Sequence, residues 1–340
     1  MTTVLVTGAG GYIGSNAAHL FALKGMKVIG IDSFATGHRG AMDRLQQMHS
    51  SSFIGYEGDI CEHAILEKVF RTHPDIQVVV HFAASCIVKE SMLTPEKYFR
   101  NNAMGTLTLL ESMLACGVRH IVFSSTCAVY GHAQYFPIDE QHPTNPSNAY
   151  GESKLMSENM IKWFVSQHGF SSVVFRYFNV YGASDDGEFG YAKRPCTHLY
   201  DAAVQGALGL RRFSLTCPTD MDTPDGTPIR DYVHVVDLVE AHLQAISLVQ
   251  VQDLRRKEPH EVINLGTGTG ETVFQILHKV EAALKVALPR DSSEKRQGED
   301  VKLVANNSKA RRLLGWRPVR TFESTVDSQL AWYKAHPKGW

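Results

Sequence analysis

The first two dozen residues constrain the fold more than any other stretch. "TVLVT", Thr3–Thr7, reads as a short β-strand, and "GAGGYIG" follows it directly. A helical pattern then runs from 12 to 24, with apolar residues three and four apart. In that order the elements set the N–H groups of a helix N-terminus beside a turn that a pyrophosphate can approach closely. A glycine run alone is compatible with any tight turn. Its position between a strand and a helix is what gives Gly8, Gly11 and Gly14 a dinucleotide-binding reading. The spacing is G-x-x-G-x-x-G, and Gly10 offers a second middle glycine.

The same rhythm continues. Strand-like runs at Lys27–Asp32, Phe53–Glu57, Val78–Phe82, His120–Ser124 and Val173–Tyr177 alternate with helical stretches near 62–72, 95–115 and 150–167. Pro95 before Glu96 fits a first helical turn, where proline costs no hydrogen bond. Strand–helix alternation predicts an α/β fold, a Rossmann-like doubly wound parallel sheet. After Asn179 the pattern loosens. Residues 182–197 and 217–229 are rich in Gly, Pro, Asp and Thr and read as long functional loops. Shorter elements at 229–234, 235–250, 261–265, 272–287 and 322–335 suggest a smaller mixed α/β lobe. The expected division is 1–178 for the dinucleotide part and 179–340 for the second lobe, with segments near 229–265 returning to the first.

Bulk properties exclude several classes. The chain has 340 residues, is 44% hydrophobic and carries a formal net charge of −1, so neither nucleic acid nor an anionic membrane is an expected partner. No apolar stretch approaches a membrane span, and the immediate start of "TVLVTG" leaves no room for a signal peptide. Cysteines 61, 86, 116, 127, 196 and 217 are scattered without a C-x-x-C pair, as expected of reduced thiols in the cytoplasm. The 16 histidines form no zinc-type spacing, and no metal is expected.

Two further motifs carry chemistry. Asp32 ends the second strand-like run, 18 residues past Gly14. A carboxylate there accepts from adenosine ribose hydroxyls and repels the extra phosphate of NADP, which favours NAD. His38 and Arg39 would blunt that preference but read as a solvated loop. Asp59, in "GDI", faces the adenine edge or caps a helix. In "AYGESK", Tyr150 and Lys154 lie four apart and share a helix face. A phenol is a poor base near neutrality, and a neighbouring ammonium or a bound nicotinamide cation would lower its pKa. Y-x-x-x-K is a common pair on helix surfaces. Here it gains meaning from the upstream glycine turn and from the hydroxyls of Ser124, Ser125 and Thr126 at a strand's carboxyl end.

With these residues in view, the chain resembles the extended short-chain dehydrogenase/reductases and, among them, the UDP-glucose 4-epimerases. The resemblance runs nearly end to end through "VTGAGGYIG", "GDI", "HFAA", "YFRNNAMGT", "FSSTCAVYG", "AYGESK", "RYFN", "DTPDGTPIRDYVHV", "NLGTG" and "LGW". It implies that Thr126 holds the sugar 4-hydroxyl, that Tyr150 is the base, and that Lys154 is its electrostatic partner and a ribose ligand. It implies NAD contacts from Gly8, Gly11, Tyr12, Ile13, Gly14, Asp32, Ser33, Asp59, Ile60, Phe82, Ala83, Ala84, Asn101, Tyr177 and Phe178. Asn179, His198, Leu199, Arg230, Arg296, Glu299 and Leu303 would meet the UDP-sugar. A guanidinium fork suits phosphate oxygens, although an ion pair between Arg230 and Asp231 is equally compatible with the sequence. A homodimer through helices near 95–115 and 150–167 is implied too.

Some positions depart from the family pattern. Cys217-Pro218 stands where an aromatic and a glycine usually face uridine, Glu299 where an aspartate is common, and Cys86 and Lys89 follow "HFAA". Leu303 is intermediate in size at the position that limits room around the sugar's 2-substituent, which leaves N-acetylhexosamines open. The resemblance also raises nucleotide-sugar 4,6-dehydratases, which add an Asp-Glu pair after the threonine. Cys127-Ala128 stand there instead. Epimerases of UDP-pentoses or uronates, a reductase of small carbonyls and a non-catalytic NAD sensor are further alternatives.

Overall fold

The computed structural model describes residues 2–193, 195–255, 259–293 and 300–340. In its first half β1 (Thr3–Thr7), α1 (Tyr12–Leu23), β2 (Lys27–Asp32), α2 (Arg39–Met48), β3 (Phe53–Glu57), α3 (His63–Thr72) and β4 (Ile76–His81) alternate. They are followed by α4 (Val88–Leu93), α5 (Pro95–Tyr98), a π-helical turn (Phe99–Met104), α6 (Gly105–Ala115), β5 (His120–Thr126), α7 (Ala149–His168) and β6 (Ser171–Tyr177). The remainder comprises β7 (Asn179–Tyr181), α8 (Leu199–Ala207), β8 (Leu215–Pro218), β9 (Ile229–His234), α9 (Val235–Arg255) and β10 (His260–Leu265). After these come β11 (Gly270–Thr272), α10 (Val273–Leu284), β12 (Arg290–Ser293), β13 (Lys302–Leu303), α11 (Ser308–Leu314) and α12 (Phe322–Ala335).

Seven strands form one parallel sheet in the order β3-β2-β1-β4-β5-β6-β10. Its strands are Val- and Ile-rich because both faces are covered, as a parallel sheet requires. Along β1, Val4 and Val6 enter the apolar layer shared with Phe21 of α1 and Leu238 of α9. Leu5, between them, enters the opposite layer with Leu66 of α3, Leu109 of α6 and Ile161 of α7. Order and direction bring the carboxyl ends of β1, β2, β4, β5 and β6 to one edge. Register sets Thr126 directly beside Tyr177 there. Ligands bind at this edge in open α/β sheets.

The second half builds a smaller layer over that edge. A small sheet runs β11-β9-β13 with β7 also on β9, and β8 pairs with β12. Tyr200, Leu277, Val326 and Trp332 centre its core. Segment 229–265 divides between the two: β9 stays in the small sheet, while β10 becomes the seventh strand of the large one.

The alternating elements lie close to their expected bounds, and the differences have local causes. The helical pattern at 95–115 is one apolar face but three pieces, with the π turn in the middle. Arg39 opens α2 rather than lying in a loop, pairs with Glu57 at 2.6 Å, and sits 4.5 Å over the Phe34 ring. β5 continues two residues past Ser124, so Thr126 is a strand residue. Helices α2, α4, α8 and α11 are short, and their apolar faces repeat too few times to stand out.

Candidate active site

The dinucleotide groove starts at the glycine turn. A Cβ on Gly14 would stand 2.0 Å from the Gly8 carbonyl oxygen, so only glycine lets α1 begin this close to β1. No side chain caps the helix, leaving its first N–H groups to an anion in the groove. One cavity here is walled by Gly8, Gly11, Asp32, Ser33, Asp59, Ile60, Phe82, Ala83, Ala84 and Asn101. It continues past Tyr12, Ile13 and Gly14. Asp32 accepts from the N–H of Gly10 and of Phe34, each at 2.8 Å, which fixes the carboxylate at the wall. Burial nevertheless pushes its pKa up. Asp59 both faces the cavity and accepts from the Cys61 N–H at 2.9 Å. These residues fit a dinucleotide: a carboxylate for ribose hydroxyls at one end and an uncapped helix start for phosphates in the middle.

A second cavity, of ≈ 730 Å³, opens between the sheet edge and the smaller layer, a size suited to a sugar nucleotide. Thr126, Tyr150, Tyr177, Phe178, Asn179, His198, Leu199, Arg230 and Leu303 all line it. Arg296 and Glu299 lie outside the described residues.

Tyr150 reaches this cavity because of how α7 begins. The Asn148 side chain accepts from the Gly151 N–H at 2.9 Å and caps the helix one residue before Ala149. A Cβ on Gly151 would meet the Ala128 carbonyl oxygen at 2.6 Å, so glycine lets α7 press against the turn after Thr126. The Thr126 hydroxyl accepts from the Ala128 N–H at 3.2 Å and lies on the same cavity wall as Tyr150. Tyr98 meets the Tyr150 ring edge-on, centroids 6.3 Å apart.

Lys154 does not line the cavity. It is buried beneath, donating to the Ser124 carbonyl at 2.7 Å, with its ammonium 4.8 Å over the Phe123 ring. Burial pulls its pKa down to about 8. Burial also pushes the Tyr150 phenol above its ordinary value, and the nearby Thr126 hydroxyl only partly offsets this. The lowered phenol pKa expected from an adjacent ammonium is therefore not produced by the protein groups alone. Desolvation wins.

Ser124 lines the dinucleotide groove, while the Ser125 and Tyr130 hydroxyls are held by the scaffold. Ser125 donates to Glu158, which Arg176 grips through two further hydrogen bonds of 3.1 and 2.6 Å. Tyr130 donates to Asn264 at 2.6 Å, and burial raises its pKa. Arg230 does not pair with Asp231. Adjacent strand residues face opposite ways, and Asp231 accepts from the N–H groups of Thr267, Gly268 and Ala305. Arg230 donates to the Ile229 and Asp300 carbonyls, each at 2.9 Å, at the cavity wall. Cys217 is a buried residue of β8, paired with Ser292 of β12, and is not part of that wall.

Sequence reasoning missed Asn102. It donates to Ser153 and to the Ser85 carbonyl and accepts from the Ser85 N–H, tying the loop after β4 to the helix of Tyr150. The π turn aims Asn101 at the groove and Asn102 inward. Nothing in "NN" distinguishes the two. Lys193 and Tyr232 also stand at the walls; Tyr232 lies within the "DTPDGTPIRDYVHV" motif but was not singled out, and Lys193 lies in the loop at 182–197.

A doubly wound sheet whose carboxyl edge carries a glycine turn, an acid and a Thr–Tyr–Lys set defines an extended short-chain dehydrogenase/reductase. A family model described as GDP-mannose 4,6 dehydratase matches residues 5–329. The UDP-glucose 4-epimerase of Streptococcus mutans is 42% identical over 342 residues, 99% of this chain and 98% of that protein. A UDP-glucose 4-epimerase from Bifidobacterium longum, solved in complex with NAD+ and UDP, is 35% identical, with TM-score 0.91 over 100% of both chains. Another, from Stenotrophomonas maltophila with bound NAD and formylated UDP-arabinopyranose, has TM-score 0.92 at 30% identity over 98% of each chain. The chain belongs to the UDP-glucose 4-epimerase family.

Proposed function

We propose that the chain is an NAD-dependent UDP-hexose 4-epimerase, chiefly interconverting UDP-glucose and UDP-galactose. The observation that carries this is Thr126 and Tyr150 together at the wall of the large cavity, where that cavity adjoins the dinucleotide groove. Residues 1–178 serve mainly the cofactor and 179–340 mainly the nucleotide sugar. NAD, when bound, supplies a reversible hydride acceptor.

Thr126 holds the sugar 4-hydroxyl against Tyr150, which takes its proton as the carbon is oxidised. The resulting 4-keto sugar turns within the cavity, and Tyr150 returns the proton after reduction from the other face. Lys154, one turn further along the phenol's own helix, favours the phenolate once the site is loaded. Asn179, His198, Leu199 and Arg230 hold the nucleotide diphosphate, with Arg230 presenting its guanidinium to phosphate. Dehydration is disfavoured, because Cys127 and Ala128 occupy the places of the acid pair, and burial pushes the Cys127 thiol up to about 12. Leu303, half-buried at the wall, supports a second reading in which N-acetylhexosamines or UDP-pentoses are also accepted.

The expected partner is a second copy of the chain. Met104, Met156 and Trp163, the last 67% exposed, leave apolar surface on the π turn and α7. Among the described residues no helix is long and apolar enough to cross a membrane. The scattered cysteines, none in a disulfide, support a cytoplasmic setting.

The test is to purify the protein, release and quantify bound NAD, and incubate it with UDP-galactose. UDP-glucose is the expected product. A 4-keto-6-deoxy sugar, or equilibration of only a UDP-pentose or N-acetyl sugar, overturns the assignment. Tyr150→Phe should abolish turnover with the fold intact; retained activity would remove Tyr150 as the base.

A further inference from the structure

Trp340 lies where three parts of the chain meet. Its indole is 4.8 Å from Trp332 of α12, 4.7 Å from His336 and 5.7 Å from Phe189, measured between ring centroids. Its Cβ is 3.3 Å from where a Cβ on Gly40 would stand, and Gly40 is the second residue of α2. The same residue lines the dinucleotide groove together with Gly8, Gly11 and His38. Other contacts cross this seam. Tyr12 donates to the Gly182 carbonyl at 2.6 Å, His19 meets Asp186 at 2.9 Å, and Arg44 pairs with Glu188 at 2.7 Å. Together they fasten residues 182–190 and Trp340 onto α1 and α2, the helices that flank the glycine turn. The large cavity holding Thr126 and Tyr150 has no wall from Trp340.

We propose that Trp340 is a cofactor-retention residue: a positioning side chain that closes the outer wall of the NAD groove and sets how slowly NAD leaves. The proposal rests on the NAD reading above. An epimerase regenerates its cofactor in every turnover, so release serves no step of the cycle, and a fixed wall costs nothing in turnover. An indole held by three rings and a helix start makes such a wall, since its contacts must separate before the groove opens.

The test follows NAD itself. Purified enzyme carrying its NAD is diluted into cofactor-free buffer, and released NAD is trapped by an added alcohol dehydrogenase with ethanol, read at 340 nm in the coupled assay (roughly the NADH absorbance band). Trp340→Ala removes all three ring contacts and should speed release at least about tenfold, equivalent to about 1.4 kcal/mol. Trp340→Phe keeps a ring and should stay near the wild-type rate. Before any NAD is lost, turnover per bound NAD should be unchanged in both variants. His336→Ala, which removes one of the indole's supports, should give an intermediate release rate and serves in place of Trp340→Ala if that variant does not fold. Wild-type release with Trp340→Ala, or with His336→Ala in its place, refutes the proposal. A wild-type protein that neither retains nor binds NAD refutes the cofactor reading instead.

Discussion

Replacing Lys154 with methionine separates what the buried ammonium costs from what it does. The folded pKa falls from the ordinary 10.5 to about 8 because the side chain is enclosed between α7 and the end of β5. A fall of that size amounts to about 3 kcal/mol of folding free energy lost while the group stays charged. A neutral amine would still donate to the Ser124 carbonyl, so methionine forfeits that bond, worth about 1 kcal/mol. The cofactor-free Lys154→Met protein should therefore be more stable than wild type by about 2 kcal/mol at pH 7. The pH dependence carries the sign. Below pH 8 the lysine is charged in both states and the penalty is whole. Between about 8 and 10.5 only the unfolded chain keeps the proton, so the penalty fades as pH rises. Urea unfolding at about pH 7 and pH 10 should show the variant's advantage shrinking to nothing or reversing, while turnover at neutral pH falls at least about a hundredfold. A variant less stable than wild type at pH 7, or a difference that ignores pH, would refute this account.

Two further outcomes follow from buried charges elsewhere. Asp201 of α8 is fully buried, and its pKa is pushed up to about 8 by burial. Folding holds its proton between the unfolded carboxylate range and pH 8, so this stabilisation is present in acid and is lost as pH rises through 8. Asp201→Asn should gain thermal stability relative to wild type on going from about pH 5 to pH 9, measured as Tm; a constant difference would exclude that protonation. Glu158→Gln strands the Arg176 guanidinium without a counter-charge and should cost about 3–5 kcal/mol in denaturant unfolding. The pair Glu158→Leu with Arg176→Met should recover most of that loss, and failure to recover would show that the ion pair itself stabilises the fold.

Much of the molecule was legible in sequence because its signals are local. A strand of four or five apolar residues, a glycine turn and an amphipathic helix each declare themselves within a dozen positions. Their alternation then implies the parallel sheet and the edge at which its ligands bind. Y-x-x-x-K needs only the helical period to put two side chains on one face. Local periodicity could not say that Lys154 is buried rather than exposed beside Tyr150, so the sign of the shift that the protein groups impose on the phenol was beyond it. That sign depends on how closely α7 packs on β5, through Gly151 and the Thr126 turn. The contacts that hold Asn102 to Ser85 and Ser153, and the meeting of Trp340 with Gly40, are likewise long-range. They join residues as much as 300 positions apart, and only the packed chain brings such residues within reach of each other.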